Sequence, residues 1–106
     1  MATPEPEPLP PGYRLADYVV VRELATARMG RVYEAKDTRL NETVAINVLA
    51  PQLRDTRGVD RFRGAFQKAF EKNRGRVHQY VEWDGIPFAV LAYSDDGSRV
   101  IDVANE

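Results

Sequence analysis

The hydrophobic period of this chain changes twice, and that change restricts its fold more than any other feature. Tyr18-Val19-Val20-Val21 is a β-branched run of the kind that forms a strand, and Arg31 to Asp37 alternates as a second. Thr43 to Leu49 (TVAINVL) is the strongest strand signal of all. Short turns over 25–30 (ATARMG) and 38–42 join the three into an antiparallel meander. The period then lengthens. Val59, Phe62, Ala65, Phe66, Ala69 and Phe70 recur at helical spacing, with Arg61, Arg63, Gln67, Lys68 and Lys72 on the other faces. Pro51 to Gly58 reads as a loop before this helix; Asp60 suits its start, Lys72 and Arg74 its end, and Gly75 its stop. Strand character returns over 76–83 and in Phe88 to Tyr93 (FAVLAY), with Asp84-Gly85 as the hairpin turn. The expected fold is α+β, a five-stranded antiparallel sheet carrying one packed helix.

The flanks differ from this core. Residues 1–12 (MATPEPEPLPPG) hold five prolines and two glutamates and are expected as a solvated, extended tail. Residues 13–97 form the domain, and 98–106 are a C-terminal extension whose form, strand, helix or frayed end, the sequence leaves open. Fifteen basic against sixteen acidic residues give a net charge of −1, which argues against a general nucleic-acid or anionic-membrane binder. The chain has no cysteine and one histidine, His78, so disulfides, thiolate metal sites and histidine-rich zinc centres are excluded. No apolar stretch approaches the roughly 20 residues that cross a bilayer, and the N-terminus lacks a secretory pattern. The cytoplasm is the expected compartment.

Several words in this order resemble the N-terminal lobe of a protein kinase of the bacterial, eukaryotic-like Ser/Thr type. Leu24 to Asp37 (LATARMGRVYEAKD) is similar to the family's LGxGGMGxVYxAxD, and TRLNETVAINVL to its DTRLxxxVAIKVL. FRGAFQKAF falls where the family has FxxEAxxxA, NRGRV where it has a word like NHPxI, and WDGIPFAVLAY where it has DGxPYLVMEY. The resemblance runs over residues 13–97.

It implies a nucleotide site whose chemistry has been replaced. The family's loop glycines let backbone amides approach the ATP phosphates; here they match Ala25, Ala27 and Gly30. The lysine that grips the phosphates and pairs with a helix glutamate matches Asn47, and that glutamate matches Ala65. The acid preceding the hinge matches Ala92. Removing both ends of an ion pair is self-consistent, because a partly buried carboxylate left alone costs several kcal/mol. Some family members move the lysine to the glycine loop, a role open to Arg28, Arg31 or Lys36. The HRD and DFG words that carry the catalytic base and a metal ligand do not occur in these 106 residues. The resemblance therefore implies a pseudokinase-like half-kinase with no catalytic residue, no metal and no required cofactor.

Two classes of function remain open. The first is a protein-binding, regulatory or scaffolding module acting through a signalling partner or a homodimer. From Arg54 to His78, eight basic residues face three acidic ones. That run fits a solvated helix face, an acidic protein partner, or phosphate and nucleic acid. The contact residues expected for a partner are Arg57, Arg61, Phe66, Lys68, Phe70, Lys72 and Phe88. The second is a weak ATP sensor, in which Gly30, Val32, Ala45, Asn47, Leu91 and Tyr93 match the family's nucleotide-contacting positions. A half-kinase completed by another chain is a further alternative. His78 reads as structural and Trp83 as strand packing, unless an exposed Trp83 marks a contact surface.

Overall fold

A computed structural model of the chain describes residues 5–93 and 101–105. Six strands build one antiparallel sheet: β1 (Arg14–Leu15), β2 (Tyr18–Ala27), β3 (Gly30–Asp37), β4 (Glu42–Leu49), β5 (Val77–Trp83) and β6 (Ile86–Ala92), in the spatial order β1-β2-β3-β4-β6-β5. One helix, α1 (Thr56–Lys72), packs on it. The expected count of five strands is corrected to six. The extra strand is two residues long, too short for an alternating pattern, and pairs Arg14 with Val19 and Leu15 with Tyr18.

Each sheet face buries its own cluster, as alternation along a strand requires. On β4, Val44, Ile46 and Val48 join Tyr33, Phe88 and Val90 on one side. Ala45 and Leu49 join Val32, Ala89, Leu91 and the helix residues Phe62 and Ala69 on the other. β2 changes sides along its length: Tyr18 and Val20 serve the first cluster, whereas Leu24 and Ala27 pack on the second. Bulges between Val20 and Arg22 and between Glu23 and Ala25 make that change possible. The β5–β6 turn is the expected Asp84-Gly85 pair, both at positive φ, 52° and 77°, the geometry of a two-residue hairpin.

Among the described residues no helix covers the first face. It is covered from the N-terminal side, where Leu9 and Leu15 are buried and Tyr13 packs alongside. Within residues 5–12, expected as a solvated tail, Leu9 is buried and Glu5 half-buried against the fold, while residues 6–8 and 10–12 are exposed. The Leu9 amide donates to the Tyr33 hydroxyl at 3.0 Å, and the Arg54 guanidinium donates to both oxygens of Glu5. Burying Leu9 contributes about 2 kcal/mol.

α1 begins three residues earlier than its apolar stripe suggests. Asp55 caps it, its carboxylate accepting from the Gly58 amide at 2.7 Å. Asp55→Ala is expected to destabilise the fold by about 1 kcal/mol in chemical denaturation. At the β3–β4 turn, burial pushes the Asp37 carboxyl up, but hydrogen bonds from the Arg39 side chain and from the amides of Arg39 and Leu40 outweigh it and hold the group below its ordinary value. A depressed folded-state value means stability that is complete above about pH 4 and lost as pH falls through the folded value. Urea midpoints measured between pH 6 and pH 2 should show that acid limb flattened in Asp37→Asn.

Candidate functional site

The site lies where the β2–β3 hairpin, β4 and α1 meet. Here β2 continues to Ala27 and β3 starts at Gly30, so the expected loop over 25–30 is a two-residue turn, Arg28-Met29. The turn is tied down, because the Ala50 amide donates to the Met29 carbonyl at 2.9 Å. Ala27, Arg28 and Met29 are thus shaped by strand pairing and by this bond to the chain after β4. Gly30 has its own packing reason. A Cβ built there would lie 1.9 Å from the Val48 carbonyl oxygen.

Residue 47 stands at the centre of β4, paired with Val32 on one side and Ala89 on the other. Asn47 is fully buried, and both ends of its amide are used. Its Nδ2 donates to the Arg31 carbonyl at 3.4 Å, and its Oδ1 accepts from the Val103 amide at 3.0 Å. The segment that supplies Val103 fills the cleft. Ile101 and Val103 are buried in the same cluster as Val32, Ala45 and Leu91. Asp102, between them, accepts from the Arg28 amide at the hairpin tip at 2.7 Å and from the Ala104 amide at 3.1 Å. Ala65 lines a groove of about 460 Å³ with Arg61, Gly64, Lys68, Val103 and Ala104.

The residues matched to nucleotide contacts therefore meet around a peptide segment. Val32, Ala45, Asn47 and Leu91 come together there, and Gly30 lies beside the turn at the hairpin tip. Tyr93 packs at the edge of this cluster, with its hydroxyl donating to Glu34 at 3.1 Å; Arg22 bonds both Glu34 and Tyr93. Of the cations considered for a relocated lysine, Arg31 is held by Glu23 at 2.7 Å, and that bond raises its already high pKa.

Helix α1 sorts the expected partner residues. Arg57, Arg61, Lys68 and Lys72 are exposed, while Phe66 and Phe70 are half-buried with ring centroids 5.8 Å apart. Arg63 is committed elsewhere, to Asp60 at 3.3 Å and to Glu82, over the Tyr80 ring. Hydrogen bonds from Tyr80 and Arg63 lower the Glu82 pKa. Phe88 is a correction. It is fully buried in the first cluster, edge-on to Tyr18 at 5.7 Å, because β6 is an inner strand covered on both faces. It cannot meet a partner in this fold. His78 is exposed and Trp83 is 37% exposed.

Sequence reasoning missed Ile101, Asp102 and Val103 as part of the site. Their apolar–acid–apolar alternation is the available signal, but nothing local says which surface receives it. The domain boundary expected after Gly97 lies outside the described residues. No helix among the described residues is long and apolar enough to cross a membrane.

No protein-family model matches the chain. Individual proteins do. The serine/threonine-protein kinase PknD of Mycobacterium tuberculosis is 32% identical over 95 residues, covering 82% of this chain and 14% of that kinase. The probable serine/threonine-protein kinase pknA2 of Bifidobacterium longum is 36% identical over 83 residues, covering 72% of this chain and 11% of that kinase. Among solved structures, the PknI kinase domain of M. tuberculosis superimposes with a TM-score of 0.59 at 31% identity, covering 82% of this chain and 36% of that domain. The chain thus spans a small part of the curated relatives and a little over a third of the solved domain. It is a homologue of the bacterial Ser/Thr protein kinases, and the part of them that it reproduces is the N-terminal lobe.

Proposed function

We propose that this N-lobe works by binding a protein partner and not by transferring a phosphoryl group. The observation that carries the reading is the chemistry at residue 47. Phosphoryl transfer needs a cation gripping the phosphates and held by an acid. Here a buried neutral amide is spent on the Arg31 carbonyl and the Val103 amide, and the matching helix position is Ala65. The apolar walls that would receive a purine hold Ile101 and Val103 instead.

The surface that supports binding is α1. Arg57, Arg61 and Lys68 are exposed and make no ion pair among the described residues. Beside them Phe66 and Phe70 show part of their rings, and Arg61 and Lys68 flank the groove that Ala65 floors. Unneutralised cations around small apolar residues suit a partner that presents Asp and Glu side chains. A fluorescent 20-residue Asp/Glu-rich peptide is the probe. It should bind the full chain in 50 mM salt, and the double change Arg61→Glu/Lys68→Glu should weaken binding about tenfold or more. Absence of binding, or binding indifferent to the double change, would sink the reading. Light scattering on the same sample separates this from self-association, which would show a dimer without peptide.

A further inference from the structure

We infer that the cleft of this lobe is a peptide-binding site, specific for an apolar–acid–apolar segment, and that residues 101–105 are the ligand it carries. Three kinds of recognition converge on those residues. The first reads backbone. Asn47 is inaccessible to solvent, and its Nδ2 bond to the Arg31 carbonyl fixes which way its amide faces, leaving Oδ1 to receive the Val103 N–H. An unpaired amide oxygen buried there would be costly, so the residue requires a donor from whatever fills the cleft. The second reads charge. The Arg28 amide at the hairpin tip donates to one oxygen of Asp102, while the other oxygen takes the Ala104 amide and closes the turn Val103–Asn105. The third reads shape. Ile101 and Val103 sit among Val32, Ala45 and Leu91, with 6% and 1% of their surface exposed.

Together these contacts define a ligand chemistry: two β-branched side chains flanking a carboxylate, with a free N–H on the second. They also make the site exclusive, since a purine would need the same apolar walls. This inference stands apart from the acidic-partner reading. It concerns the interior of the cleft, and the α1 cations could fail or succeed as a docking surface without altering it.

Amide hydrogen exchange on the full chain tests it. The Val103 amide should exchange at least tenfold more slowly than an unstructured amide. Asn47→Ala should abolish that protection while amides of β6 stay slow. Because residue 47 is in the core, Val103→Asp provides a second route, expelling the segment without touching its receptor. A labelled peptide of sequence SRVIDVANE should then bind the Val103→Asp chain and not the wild type, whose cleft is already filled. Wild-type Val103 exchanging freely, protection that survives both substitutions, or peptide binding to both chains or to neither would overturn the proposal.

Discussion

Placing a lysine at position 47, as the kinases have it, is expected to make this protein less stable by about 3–5 kcal/mol and to confer no nucleotide binding. The side chain would enter a fully buried position on an inner strand. It would lose the acceptor that holds the Val103 amide and bring an ammonium group instead. In kinases that charge is neutralised by the helix glutamate, but the matching residue here is Ala65. A charge buried without its partner costs several kcal/mol, whether the lysine deprotonates or forces the 101–105 segment out. For a domain of this size the thermal midpoint should fall by more than about 10 °C. An Asn47→Lys chain as stable as the wild type would mean that the cleft still tolerates the family's charge.

Gly30→Ala is the second large effect. The family's loop glycines are explained by phosphate approach, and Gly30 is the one such residue that this chain keeps. Here a different constraint accounts for it. Its Cβ would lie 1.9 Å from the Val48 carbonyl oxygen and 2.9 Å from the Ala50 nitrogen, both backbone atoms. Neither can rotate away, so β3 would have to separate from β4 where Gly30 pairs with Leu49. Overpacking of this kind reaches about 3 kcal/mol. The loss should appear in urea denaturation with no nucleotide present, because the glycine is needed by the sheet itself.

Much of this architecture is legible in the sequence because its signals are local. TVAINVL, the apolar stripe of α1 and the Asp84-Gly85 turn each state their own conformation. The helix start was within reach too: Asp55 before a helical run is an N-cap signal, although Gly58 draws attention to a loop. The same holds for Phe88. An unbroken apolar run such as FAVLA marks a strand covered on both faces, which argues against a contact role. What the sequence does not state is which distant surface an isolated apolar residue will find. Leu9 lies in a proline-rich stretch, and its burial depends on Tyr33, 24 residues away. Val103 depends on Asn47 across 56 residues. Family likeness marks Asn47 as a lost lysine, but only the fold reveals what the asparagine now holds.

We propose above all that the cleft of this kinase-like lobe, filled by Ile101 and Val103, does not take up nucleotide. Calorimetric titration of the full chain with ATP, with and without magnesium, measures it most directly. No saturable binding is expected up to millimolar nucleotide, and no nucleotide-dependent rise in the thermal midpoint. Saturable binding in the micromolar range would contradict it.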